Sequence, residues 1–203
     1  ENEKRTVVSI DTRRLSKIEW INRADRRGGV EAGITGTNLA ELLLQVRQED
    51  LLKASIDTTQ AVQLADTVVV VVPVIVDETA KPDFSAIDSA TRDIAGGLKQ
   101  NTLICYETTL PIGTTRNRFG PLLQEISGLD YETDFYLAYS PERVFSGRIF
   151  ADLRTYPKLV GGINDQSTQR AITFYESVLD FDDRPDLDHP NGVWNLGKSE
   201  AAE

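Results

Sequence analysis

The chain has 203 residues, 40% of them apolar, and a formal net charge of −10. That length holds one sizeable domain, or one domain with part of another, and the apolar share is that of a globular protein. A field of that sign repels phosphate backbones and argues against nucleic acid as a partner, but an anionic small ligand stays open because a helix terminus can hold phosphate locally. In chain order, Thr6 to Ile10 is a short β-branched run ended by Asp11, and reads as a strand. Ser16 to Arg26 carries Ile18, Trp20 and Ile21 near helical spacing and is followed by Gly28-Gly29, which predicts a helix. Asn38 to Gln48, with Leu39, Leu42, Leu43 and Val46, predicts a second helix capped by Asn38. Leu52 to Ile56 reads as a short strand, and Thr58 to Leu64 as a short helix capped by Asp57 or Thr58. Thr67 to Val72 is a continuous apolar strand stopped by Pro73, which cannot donate to a ladder. After a loop at Asp77 to Pro82, a helix runs from Phe84 to Leu98 with Asp83 as cap. Next come a strand at Thr102 to Tyr106, a helix from Gly113 or Thr114 to about Ile126, and a strand at Asp134 to Tyr139. Lys158 to Val160 is a strand ended by Gly161-Gly162, and Asp165 to Leu179 a helix with Asp165 as cap. Asp180 to Asp188 is an acidic connector, and Lys198 to Glu203 reads as the first turn of a helix.

Strands and helices alternate, and the strands are continuous apolar runs, as expected when both sheet faces are covered. The fold class is α/β, a doubly wound, mostly parallel sheet. No fixed-period repeat and no low-complexity segment interrupts it. The longest apolar stretch, Val68 to Val76 with one proline, is too short to span a bilayer, and no signal-peptide pattern opens the chain. The single cysteine, Cys105, excludes an intrachain disulfide and fits a reducing, cytoplasmic setting. Inside an apolar strand it reads as a buried structural thiol. His189 is the only histidine, and no His/Cys pair has metal-ligand spacing.

Open α/β sheets bind ligands at the carboxyl ends of their strands, and two segments put chemistry there. Glu107-Thr108-Thr109 leaves one strand, turns at Pro111-Ile-Gly113 and starts a helix, whose free N–H groups suit an anion or carbonyl. A plain strand–turn–helix joint with threonine caps accounts for it equally. Pro141-Glu142-Arg143 follows another strand, and its carboxylate and guanidinium suit acid/base work and phosphate binding; solvated loop charges are the alternative. Asp11, at the end of the first visible strand, suits a dinucleotide ribose, or simply a loop. No Gly-x-Gly-x-x-Gly turn is present. The cluster of Gly28, Gly29, Gly33 and Gly36 follows a predicted helix rather than a strand, which is the wrong setting for a phosphate loop.

Val-Ser-Ile-Asp11, Ala65 to Pro73, Lys81-Pro-Asp83, Glu107 to Thr115, Ser140-Pro-Glu-Arg-Val144 with Gly147, and Lys158-Leu-Val-Gly-Gly162 occur in this order and cover most of the chain. Together they resemble the UDP-glucose/GDP-mannose dehydrogenase family. The Pro-Glu-Arg-Val form looks most like its UDP-N-acetylmannosamine and UDP-N-acetylglucosamine 6-dehydrogenases. The resemblance implies a Rossmann-like NAD-binding domain over residues 1–180 that lacks its first strand and phosphate loop, then a connector and the start of the central linking helix over 181–203. A missing first strand is expected to expose a sheet edge.

For NAD, the resemblance implies Asp11 on the ribose with Lys17 nearby, Val72 and Pro73 beside the nicotinamide, and Glu107 and Thr108 in the same cofactor-facing group. Thr109 would hold the catalytic water or substrate, Glu142 would serve acid/base chemistry, and Arg143 and Val144 would contact the nucleotide sugar. The implied reaction is oxidation of a UDP-N-acetylhexosamine C6 alcohol to the uronic acid with two NAD, through a cysteine thiolate. The implied protein is a cytoplasmic homodimer of polysaccharide biosynthesis, with no nucleic-acid, membrane or metal partner. In the family the catalytic lysine follows an Ala-Glu pair like Ala202-Glu203, and the catalytic cysteine lies in a later domain. The chain alone is therefore expected to be inactive. Val74 stands where the family usually has threonine, and Thr12 where it often has an aliphatic residue. A non-catalytic Rossmann-like interaction module and another NAD(P)-dependent hydroxyacid-type dehydrogenase are the alternatives.

Overall fold

A computed structural model of the chain describes residues 55–144, 149–182 and 191–203, together with three short strands ahead of them: Val7–Ser9 (β1), Ile21–Asn22 (β2) and Arg27–Gly28 (β3). Thr67–Val70 (β4) and Leu103–Tyr106 (β7) are buried at every residue, as their unbroken apolar sequence requires of inner strands. With Tyr136–Tyr139 (β8), Lys158–Gly162 (β9) and Val193–Lys198 (β10), they form a six-stranded sheet in the order β1-β4-β7-β8-β9-β10. β1, β4, β7 and β8 are mutually parallel; β9 runs antiparallel to β8, and β10 parallel to β9.

Successive side chains of these strands point to opposite faces. Val68, Val70, Ile104, Tyr106, Leu137 and Tyr139 face one core, which is closed by Ile87, Ala90 and Ile94 of helix Ser85–Gly97 and by Phe119 and Leu123. Val69, Leu103, Cys105, Ala138 and Val160 face the other, closed by Ala171, Ile172, Phe174, Tyr175 and Val178 of helix Asp165–Val178. The sheet is thus covered on both sides, the doubly wound arrangement that its composition predicts.

We label the helices α1 (Thr58–Gln63), α2 (Ser85–Gly97), α3 (Gly120–Ser127), α4 (Ile149–Thr155), α5 (Asp165–Val178) and α6 (Ser199–Ala202). Asp57 caps α1 by accepting from Gln60 N at 2.9 Å, whereas the cap position of α2 is Phe84 and not the expected Asp83, whose Oδ1 accepts from Ser85 N at 2.8 Å from one residue earlier. Cap residues supply the oxygen that the first helical amides lack. α5 is capped by Asn164, one residue before the expected Asp165, because Asn164 has the extended backbone of a cap and its Oδ1 accepts from Ser167 N at 2.8 Å.

Several expectations are corrected. Ile21–Asn22 lies inside the segment predicted as a helix from Ser16 to Arg26, yet pairs antiparallel with Arg27–Gly28. Its apolar stripe is short, and Asn and β-branched Ile are weak helix formers. Ile56 ends no strand and is 82% exposed. Residues 75–76 and 82–83 pair as strands β5 and β6 around a turn held by Asp77, whose Oδ1 accepts from Thr79 N and Lys81 N. β9 continues through Gly161-Gly162 instead of ending before them. The connector ends in a strand, β10, that completes the sheet beside β9. β1 pairs with β4 in parallel register and is the outermost described strand on that side, so the sheet keeps an edge there. The helix predicted at Asn38 to Gln48 lies outside the described residues.

Candidate functional site at the carboxyl ends of β4, β7 and β8

The registers Val70↔Tyr106 and Tyr106↔Tyr139 bring three parallel strands to one edge together. Beyond that edge the main chains continue to bond. Glu107 N donates to Val70 O at 2.9 Å, Ser140 N to Tyr106 O at 2.9 Å, and Glu142 N to Glu107 O at 3.1 Å. Thr108 Oγ1 donates to Val72 O at 2.7 Å. The segments 72–73, 107–109 and 140–142 are therefore side by side, as their positions after strands predict.

Within this edge Val72 is fully buried in the core and Pro73 is exposed, so of the two only Pro73 presents its side chain at the surface. Thr108 is half-buried, while Thr109, Glu142 and Arg143 are exposed and Val144 is half-buried. The Glu142 carboxylate accepts from Val144 N, and the Arg143 guanidinium lies 5.9 Å from the centre of the Tyr156 ring. Asp11 and Lys17 lie outside the described residues.

Glu107 points inward. Its Oε1 accepts from Lys158 Nζ at 3.0 Å and from the Tyr175 hydroxyl at 2.6 Å. The Lys158 ammonium also stands 4.7 Å from the Tyr175 ring. Any cofactor contact from Glu107 thus falls to its other oxygen. Neither Lys158 nor Tyr175 stands out from sequence as a site residue. The available signal was a lone cation opening an otherwise apolar strand.

Cys105 is fully buried between Val69 and Ala138, and burial, with the Glu107 charge adding to it, pushes its thiol up to about 12. It is a structural residue, as its sequence setting predicts. Burial likewise raises the Tyr139 hydroxyl to about 12, and the nearby Glu203 charge adds to the rise.

The turn after Thr109 differs from the expectation of an open anion site. Thr114 N donates to Pro111 O at 3.1 Å, and the chain then winds through a π-helical turn, Thr115–Phe119, into α3. Gly120 N–H bonds Thr115 O, five residues back, and this wider turn immediately precedes Pro121. A proline inside a regular helix crowds the carbonyl four residues earlier, and the π turn relieves that conflict. The amides at the start of the turn are already engaged: Gly113 N and Thr115 N donate to the Glu203 carboxylate, the second at 2.7 Å. Arg116 Nε donates to Glu200 at 2.5 Å. Burial pushes the Glu200 carboxyl up, but its own main-chain N–H and the Arg116 guanidinium outweigh that and hold it below the usual carboxylate range. Among the described residues no cluster of His, Cys, Asp and Glu could hold a metal ion, and no helix is long and apolar enough to cross a membrane.

A family model, "UDP-glucose/GDP-mannose dehydrogenase family, NAD binding domain", matches residues 2–179. Over 98 residues the chain is 36% identical to a UDP-N-acetyl-D-mannosamine dehydrogenase of Pyrococcus horikoshii, covering 48% of this chain and 23% of that protein. Over 180 residues it is 28% identical to a UDP-N-acetyl-D-glucosamine 6-dehydrogenase of Pseudomonas aeruginosa, covering 87% of this chain and 39% of the relative. The solved NDP-N-acetyl-D-galactosaminuronic acid dehydrogenase of Methanosarcina mazei superposes with a TM-score of 0.73 at 30% identity, over 85% of this chain and 35% of its own. The chain thus spans less than half the length of these relatives. With the mostly parallel, doubly wound sheet and the matching strand-end segments, the match assigns this chain to the UDP-glucose/GDP-mannose dehydrogenase family, through that family's NAD-binding domain.

Proposed function

We propose that the chain is the cofactor-binding part of a nucleotide-sugar 6-dehydrogenase that oxidises the C6 alcohol of a UDP-N-acetylhexosamine to the uronic acid with two NAD. The observation that carries this reading is the bond from Glu142 N to Glu107 O. It ties together the two loops that bear an exposed threonine hydroxyl and an exposed carboxylate, at a sheet edge of the kind where such folds bind ligands. The names of the relatives from Pyrococcus horikoshii and Pseudomonas aeruginosa support the substrate class.

The chemistry of the edge suits the nicotinamide end of the cofactor. Pro73 offers an exposed apolar surface, the Thr108 hydroxyl fixes the segment before it through Val72 O, and Thr109 stays exposed. Asp11 and Lys17 would hold the adenosine ribose, and Val72, Pro73, Glu107 and Thr108 the nicotinamide end. When bound, NAD supplies the hydride acceptor. Thr109 then orients a water or a sugar hydroxyl, and Glu142 holds or moves a proton at its carboxylate. Arg143, with Val144, receives the nucleotide sugar, because a guanidinium fork matches phosphate oxygens. Cys105 is sealed in the sheet and cannot be the thiolate of such a reaction, so this chain by itself binds cofactor without turnover. The whole protein is a cytoplasmic homodimer in this reading.

Calorimetry of the 203-residue chain with NAD, beside NADH formation with UDP-N-acetylmannosamine or UDP-N-acetylglucosamine, tests the proposal. Weak NAD binding that Asp11→Ala removes, with no turnover, is the expected result. A folded chain with no affinity for NAD up to its solubility limit overturns the cofactor reading. Turnover by this chain alone overturns the division of labour.

A further inference from the structure

We infer that Lys158 is the positioning residue of this site, a buried cation that sets the spacing between the 107–109 and 140–142 loops. Its place follows from topology. β9 runs antiparallel to β8, so its first residue, and not its last, stands at the carboxyl edge of β7 and β8. There the Lys158 and Glu107 side chains are only 9% and 13% exposed. The Lys158 ammonium donates to Glu107 Oε1 at 3.0 Å, Ser140 O at 3.4 Å and Pro141 O at 3.5 Å, so it bonds both loops at once. Tyr175, from α5, donates its hydroxyl to the same Glu107 oxygen at 2.6 Å. Ser140 Oγ adds a bond to Leu159 O at 2.7 Å, which keeps the 140–142 loop on β9.

A buried ammonium and a buried carboxylate each need the other, since neither tolerates burial unpaired. The pair is satisfied only while Glu107 and the Ser140–Pro141 carbonyls stand where they do. Residue 107 in turn carries the carbonyl that receives Glu142 N and precedes the Thr108 hydroxyl on Val72. Lys158 therefore acts on the exposed Thr109 and Glu142 through the main chain of the two loops it bonds. Its effect on ligand binding rests on the cofactor reading above; its effect on the loops does not.

The test uses amide exchange at Glu142 and NADH binding in the 203-residue chain. The doubly neutral variant Glu107→Gln/Lys158→Met removes both charges, so it leaves no stranded ion and keeps the core. Its Glu142 amide is expected to exchange about tenfold faster or more, while amides of β4 and β7 keep their wild-type protection. NADH binding weakens in parallel, and Lys158→Arg, which keeps the cation, retains more of both than the neutral variant. Tyr175→Phe keeps the ring under Lys158 and removes only the hydroxyl on Glu107, so it reads the same coupling should the double variant not fold. Wild-type exchange at Glu142 in Glu107→Gln/Lys158→Met, or in Tyr175→Phe should the double variant not fold, overturns the inference, and so does unchanged NADH affinity in a variant with loosened loops. If the wild-type chain binds no NADH but the exchange effect holds, the cofactor reading falls and the positioning role stands.

Discussion

Cys105 offers a direct measure of how tightly the sheet seals the one thiol of the chain. Its strand lies between β4 and β8, and its side chain sits in the core formed with Val69, Ala138, Ala171 and Tyr175. Burial raises the thiol from 9.0 to about 12. Only the thiolate attacks a disulfide reagent. A three-unit rise lowers the thiolate fraction at pH 8 by about a thousandfold against an unshifted thiol, at tenfold per unit. Steric access demands in addition that α5 leave the sheet, an opening that approaches the global unfolding free energy of roughly 5–15 kcal/mol. Labelling of the native chain with an aromatic disulfide reagent at pH 8 is therefore expected to be at least about a thousandfold slower than in denaturant, with Cys105→Ser as the blank. The rate should rise with denaturant along the global unfolding curve. The sign of the pH dependence follows as well. The folded state keeps this thiol protonated while the unfolded state releases the proton above pH 9. Its contribution to stability is full below pH 9 and is lost as pH climbs toward 12. Rapid, stoichiometric labelling of folded chain would refute this account and reopen Cys105 as a nucleophile.

Two further substitutions probe the core and the docking of the last strand. Thr91 Oγ1 lies 2.8 Å from the Tyr106 hydroxyl, and both residues are fully buried, so Thr91→Val strands that hydroxyl and costs about 1–3 kcal/mol, read as a lower Tm. Adding Tyr106→Phe should recover most of the loss, and a double variant no more stable than Thr91→Val would refute the pairing. At Gly161 a Cβ would lie 2.1 Å from Lys198 O and 2.9 Å from Ser199 N, so Gly161→Ala must push β10 and α6 off β9, at a cost of about 1–3 kcal/mol or more. Hydrogen exchange over residues 193–203 should then rise selectively; wild-type protection there would show that the close approach carries no weight.

Central strands were the legible part of this fold. Thr67–Val70, Leu103–Tyr106 and Tyr136–Tyr139 read as strands because an inner strand buried on both faces has to be apolar throughout. The loops after them could be placed on one edge because parallel strands share a direction. Strand direction itself leaves no trace in composition. The antiparallel course of β9 was hidden for that reason, and with it the arrival of Lys158 beside Glu107. β10 was hidden differently. Val193–Lys198 includes an asparagine and a glycine and is only partly buried, so it carries neither an apolar run nor clean alternation. Its place is set by Gly161, whose missing side chain lets the Lys198 carbonyl approach, a tertiary fact that no local pattern records.

Residues 107–115 read from sequence as one segment facing the cofactor, but the structure divides them by what holds them. The first part, Glu107 to Thr109, is fixed from within the sheet by the buried Lys158 and by Tyr175. The second, Gly113 to Thr115, is fixed by the Glu203 carboxylate on its amides, backed by Arg116 on Glu200 and on Ile163 O. A carboxylate at a helix start is favourable by about 0.3–1 kcal/mol, and more when partly buried, so an outside anion would have to displace Glu203 to use those amides. In the proposed reading, ligand chemistry therefore falls to the first part, where Thr109 is exposed. The same division makes α6 a structural partner of the turn: its anchoring by the buried Ser199 and by Ala202 against the core brings Glu203 to the helix start. The connection from β7 to α3 is thus held at its two ends by charges from β9 and from α6 with Glu203, and between those anchors Leu110 is buried in the core, so only Thr109, Pro111 and Ile112 stand exposed.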